Sequence, residues 1–140
     1  MRFVLAVLAV YGAYFYGMRY VNLDAPVAYA KKTPGSALAP KINYYAGMAY
    51  YQRSEYPKSQ QLFMQLLLDH PTSQKLPKAL IWLGDSASNN GDWGTAMMAM
   101  ALYIEKFPDG KDIEIAKSRL DMLKYKHGPE VPAPPEREKP

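Results

Sequence analysis

The side chains best able to do chemistry in this 140-residue chain are few and scattered. There are two histidines, His70 and His127, and no cysteine. Without a thiolate there is no disulfide framework, cysteine nucleophile, thiolate zinc site, cysteine-held iron–sulfur cluster or c-type haem. Two histidines are also too few for a multi-histidine metal centre. His70 stands just before Pro71 in a turn pattern. His127 ends a helical pattern, where a cation favours the helix dipole. Both read as surface groups rather than proton-transfer catalysts. Asp85, Asp92, Asp109, Asp112 and Glu114 lack the spacing of a calcium loop. Asp109 and Asp112 sit where a helix start needs an acceptor. No GxGxxG, Walker loop, HExxH or GxSxG is present. No acid, base and nucleophile can be named together, so the expectation is a protein that is not an enzyme. Neither a cofactor, a metal nor a small-molecule substrate is expected.

Charge does not supply a nucleic-acid role. The formal net charge is +4. Residues 1–32 hold four basic groups and one acidic, residues 33–127 eleven and nine, and residues 128–140 two and three. A nearly neutral body has no electrostatic footprint for a phosphate backbone, so nucleic acid is not an expected partner.

What the chain does carry is a repeat. Shifted by 37 residues, Ala46-Gly47 meets Leu83-Gly84 and Glu55-Tyr56 meets Asp92-Trp93. Ser59 meets Ala96, Phe63 meets Met100, and His70-Pro71 meets Phe107-Pro108. Each unit predicts two helices: about 41–53 with 57–69, then 77–89 with 93–106. A terminal helix over about 111–126 stops at Gly128. Strand signals are absent from the pattern. Gly47 and Gly84 stand mid-helix, where glycine costs about 1 kcal/mol against alanine. Their recurrence predicts a close helix crossing, with Ser59 and Ala96 meeting them from the returning helix.

This pattern resembles tetratricopeptide repeats. Their usual period is about 34 residues; here three extra residues lie around Thr72 to Lys75. Asp69-His70-Pro71-Thr72-Ser73 and Lys106-Phe107-Pro108-Asp109-Gly110 close the repeats, and Ala79 to Asp85 open the second. These resemble a bacterial envelope subgroup that includes the periplasmic Tol–Pal cell-division coordinator and the lipoprotein of the outer-membrane β-barrel assembly machine. The resemblance covers residues 41–127. Two full repeats and a shortened third distinguish this chain, as does a hydrophobic N-terminus without a lipoprotein cysteine.

The resemblance implies a concave groove lined by the first helix of each pair. By register, its partner-binding residues are Tyr44, Met48, Tyr51, Gln52, Lys78, Ile81, Asp85, Asn89 and Met122, with Lys41, Ser88, Ser118, Tyr125 and Lys126 beside them. Tyr44, Met48, Tyr51 and Ile81 form an apolar strip of the kind interface cores favour. The competing reading packs these side chains within the same chain.

The remaining segments place this body. Residues 3–18 are uncharged and bracketed by Arg2 and Arg19. Extended to residue 23, the segment reaches spanning length, with Tyr11, Tyr14, Phe15, Tyr16 and Tyr20 toward an interface. The expected domains are therefore a transmembrane anchor over 1–23, with the bilayer contacted through residues 3–21, and a Pro/Ala-rich linker over 24–40. The repeat domain follows over 41–127, and a disordered Pro-rich tail over 128–140. Ala28-Tyr29-Ala30 offers the alternative of a cleaved signal. Ala9, Ala13 and Gly17 share one helical face, which suits contact with another transmembrane helix; small residues are also simply common in such segments. Arg19, Lys31 and Lys32 outnumber Arg2, which by itself favours a cytoplasmic body. The envelope resemblance favours a bacterial inner-membrane protein, single-pass, with a periplasmic body. Two functions follow. One is a membrane-anchored scaffold or accessory subunit bound to other protein subunits of a membrane complex. The other is a soluble periplasmic adaptor that takes an extended peptide in the groove.

Overall fold

Proline and glycine divide this chain into helices close to where the 37-residue pattern predicts. The computed structural model describes residues 2–136. Among them are seven helices and no strand: α1 (Arg2–Tyr20), α2 (Asp24–Lys32), α3 (Ala39–Gln52), α4 (Tyr56–Asp69), α5 (Leu76–Asn89), α6 (Trp93–Lys106) and α7 (Ile113–His127). The fold class is all-α. Pro40, Pro57 and Pro77 each occupy the first turn of their helix, where the missing donor has no partner to lose. Gly91, at φ 76°, takes the left-handed turn between α5 and α6.

Successive helices pack as antiparallel hairpins, and one core runs through them. Phe63, Leu66, Leu80, Leu83, Met100 and Tyr103 are fully buried in it. The glycine crossing is real. A Cβ on Gly47 would stand 2.8 Å from Phe63 Cζ, and one on Gly84 would meet Met100 Cε. Ser59 Oγ donates to Gly47 O at 2.7 Å and lies 2.9 Å from Ser86 Oγ. That pair joins the two repeats through buried hydroxyls, which need each other because no water reaches them. A smaller cluster, Ala46, Tyr50 and Leu62, is covered by Leu23 and Val27.

That cover corrects one expectation. Residues 24–40 are not an extended spacer: α2 occupies 24–32 and buries Ala30. Asp24 in its first turn and Lys31 and Lys32 in its last suit the helix dipole. Pro26 falls early enough to cost no hydrogen bond. Over 128–136 the tail is extended, as its prolines require, and mostly exposed. Val131 packs against the core, Pro132 lies beside Gly94, and Pro134 and Pro135 flank Leu67 and Leu102. Prolines lose little conformational entropy on docking. Residues 137–140 of the expected tail lie outside the described residues.

α1 stands apart from this packing. It is long and apolar enough to cross a membrane by length and composition, and none of its residues is buried.

Candidate functional site

The helices expected to line the groove, α3, α5 and α7, follow one another across one side of the repeats. Their inner side chains separate into three sets. Tyr44 and Ile81 belong to the main core. Tyr44 meets Phe63 edge-on at 6.1 Å, and Lys75 Nζ lies 5.1 Å from the Tyr44 ring. The expected open strip is thus partly the repeats' own packing. α3 and α5 approach closely enough that large side chains between them fill the gap. Met48 is half-buried against the same core.

The second set is a polar and aromatic seam. The Tyr51 ring lies 5.1 Å from Trp82 and 5.4 Å from Tyr56. Asn89 Nδ2 donates to Tyr51 Oη at 3.4 Å and to Asp85 O at 2.8 Å. Burial pushes the Tyr51 hydroxyl's pKa up, and the nearby Asp85 charge adds to it. Gln52 turns away from this seam and faces Phe15, Met18 and Arg19 near the end of α1. Lys41 likewise lies on the α1 side, with Val21, Leu38 and Tyr45.

The third set spans α5 and α7. Lys78 Nζ pairs with Asp112 Oδ2 at 2.8 Å, and Asp85 pairs with Arg119. The hydrogen bond to Asp112 holds the Lys78 pKa up. Burial raises the Asp85 pKa above its usual value, and the Arg119 guanidinium opposes that rise. Beside Asp85 opens a crevice of about 230 Å³, lined by Ser88, Arg119, Met122 and Lys126. Met122 is 49% exposed at its mouth. The Trp93 and His127 rings stack at its end, 4.0 Å apart and 8° from parallel.

Register brought Lys78, Asp85, Asn89 and Met122 to one side. It missed Arg119, Trp82 and the Trp93–His127 stack. Arg119 had a signal: Lys78 and Asp85 are seven residues apart, as are Asp112 and Arg119, with signs reversed. Two charges spaced by two turns share a helix face, so the four residues make a matched ladder. Ala9, Ala13 and Gly17 are all exposed along α1.

Among the described residues, no group of three or more His, Asp or Glu side chains converges as metal ligands would. What the surface offers is shape, aromatic edges and paired charges. These define an α-helical repeat scaffold. Residues 43–73 and 78–110 match the tetratricopeptide repeat family model. The chain therefore carries two adjacent tetratricopeptide repeats, modules that bind other proteins and typically do no catalysis. Comparison with curated proteins finds no match.

Proposed function

We propose that this chain is a membrane-anchored, non-catalytic accessory subunit. α1 crosses the bilayer once, contacting lipid through residues 3–21, and the repeat body holds another protein of the same assembly. The observation that carries this reading is the join between α1 and the body. α1 is exposed along its length apart from the half-buried Met18, yet its end is fastened. Arg53 Nε donates to Met18 O at 2.9 Å and Arg53 Nη2 to Val21 O at 2.8 Å. The last carbonyls of a helix lack partners of their own and attract a cation. A helix so exposed needs lipid or protein around it, and one so fastened sets the body at a defined angle.

Ala9, Ala13 and Gly17 supply the face for a neighbouring transmembrane helix. The crevice between α5 and α7, with Met122 at its mouth, supplies the face for an extramembrane partner. The resemblance of the repeat-closing segments to envelope repeats supports a bacterial inner-membrane protein with a periplasmic body. Cleavage after Ala30, the route to a soluble adaptor, would remove Leu23, Val27 and Ala30 from the body. Tyr50 and Leu62 would lose their cover, so the packing supports the intact chain.

The test is native mass spectrometry of the protein extracted from its own membranes in mild detergent. A fixed stoichiometry within a larger assembly, with the chain beginning at Met1, is the expected result. A lone species beginning at Lys31 would overturn it. Replacing Ala9, Ala13 and Gly17 with leucine should release the chain from the assembly. Met122→Glu should weaken the extramembrane contact while leaving the chain in the membrane.

A further inference from the structure

We infer that the recess between the end of α1, α2 and α3 holds an anionic phospholipid of the leaflet in which α1 ends. This rests on the reading of α1 as a spanning helix. The recess measures about 390 Å³ and is walled by Met18, Val21, Leu23, Leu38, Ile42 and Tyr45. Lys41 and Arg53 are its charged lining.

Position argues for lipid. Met18 and Val21 stand at the end of α1, where Arg19 and Tyr20 would meet the headgroup layer. Met18, in the last turn of α1, and Val21, just past its end, wall the recess on the side where α1 meets lipid. Its apolar interior is therefore continuous with the acyl region, and a soluble peptide would have to enter through headgroups. Leu38 and Tyr45 are exposed at 53% and 55%, and aromatic and aliphatic side chains at that depth suit the interface.

Charge selects among lipids. Arg19 lines the adjoining hollow with Phe15 and Gln52, and among the described residues no carboxylate lines either space. Lys75 Nζ, 3.2 Å from Tyr45 Oη, brings another cation to the rim. Asp24, beside Leu23 in the chain, accepts a hydrogen bond from Tyr50 Oη at 3.4 Å. Arg53 is committed to the carbonyls of Met18 and Val21. Phosphate contact therefore falls to Lys41, with Arg19 and Lys75 adding attraction. Each basic residue beside an anionic surface strengthens binding about fivefold.

The test uses the full chain in mild detergent, with phosphatidylglycerol or phosphatidylcholine added before native mass spectrometry. One phosphatidylglycerol per chain should be retained, preferred about tenfold over phosphatidylcholine. Lys41→Glu should abolish the preference, and Leu38→Asp should lower retention of both lipids. Both positions are exposed, and unchanged circular dichroism shows the fold intact. Equal retention of the two lipids, or a preference that survives Lys41→Glu, would overturn the inference. So would a lipid-free dimer, which would give the recess to a second copy. Flotation of the same chain with vesicles of the two lipids separates the layers of the argument. A chain that fails to float defeats the spanning reading itself; one that floats without preference defeats only the lipid site.

Discussion

In the first repeat the ring of Phe63 lies under Gly47, and in the second the end of Met100 lies under Gly84. Ser59 of the first gives its hydroxyl to Gly47 O; its counterpart Ala96 has none to give. Glu55 leads into α4 without capping it, whereas Asp92 caps α6 by accepting from the Thr95 amide at 3.1 Å. Outside the hairpins the contrast widens. The first is covered by α2 and the residue before it, through the partly buried Val27 and Leu23. The second is covered by α7, whose Ala116, Leu120 and Leu123 join the main core. A repeat thus encodes its own helix crossing, while what closes its open side is written elsewhere in the chain.

Truncating the two covers gives the largest expected effect. Leu120→Ala removes a side chain that is 8% exposed from the main core, and should cost about 3 kcal/mol. Val27→Ala removes two methyl groups from the smaller, wetter cluster, and should cost about 1 kcal/mol. Urea unfolding of the full chain in mild detergent measures both. Equal losses would mean that the two ends are closed equally well, and the contrast would fail.

The hairpins were legible in the residues because they rest on local signals. Pro57 and Pro77 start helices, Pro71 and Pro108 follow them, and repeated glycines mark the crossings. The covers were not legible, because they depend on distant partners. α2 is nine residues with three alanines and a proline, a composition that reads as a spacer until Ala46, Tyr50 and Leu62 are placed beside it. Val131 likewise gives no periodic signal, since an extended tail has no helical face. Register placed Asp85, Asn89 and Met122 on the side that α3, α5 and α7 share. It could not say how near α3 and α5 come, and that distance puts Tyr44 and Ile81 in the core. The Asp85–Arg119 pair was legible in principle, from the two charge pairs spaced seven apart.

Adding one methyl group to each glycine sharpens the comparison at smaller scale. Alanine raises helix propensity by about 1 kcal/mol at either site, so the difference lies in what the new Cβ meets. At Gly47 it meets the Phe63 ring at 2.8 and 2.9 Å. That ring is fully buried and is held edge-on by Tyr44. Gly47→Ala should therefore destabilise by a net 1–2 kcal/mol, about what overpacking costs beyond the propensity gain. At Gly84 it meets the terminal methyl of Met100, which can swing aside on three rotatable bonds. Gly84→Ala should be within about 0.5 kcal/mol of neutral on that ground. Thermal unfolding of the two variants side by side checks this, and a larger loss at Gly84 would show that Met100 is held as rigidly as the ring.

The smallest effect separates the two helix starts, and pH gives it a second readout. Asp92→Ala removes a cap and should cost about 1 kcal/mol. Gln60 Nε2, on α4, also donates to Asp92 Oδ2 at 2.6 Å, so the same change loosens the link between repeats. Glu55→Ala removes only an ion pair to Lys58, at 2.7 Å between side chains 38% and 58% exposed, and should cost less than about 0.5 kcal/mol. Burial pushes the Asp92 carboxyl up, but the bonds from Thr95 and Gln60 outweigh it and hold its pKa below the usual carboxylate value. A carboxyl whose pKa is lower in the folded chain stabilises it above the unfolded value and ceases to do so as pH falls through the folded one. The gap between the wild-type chain and Asp92→Ala should therefore narrow from about pH 5 to about pH 3. A gap that held constant across that range would mean that the lost stability came from the Gln60 contact and the helix start in neutral form, and that the charge on Asp92 does not distinguish the second repeat from the first.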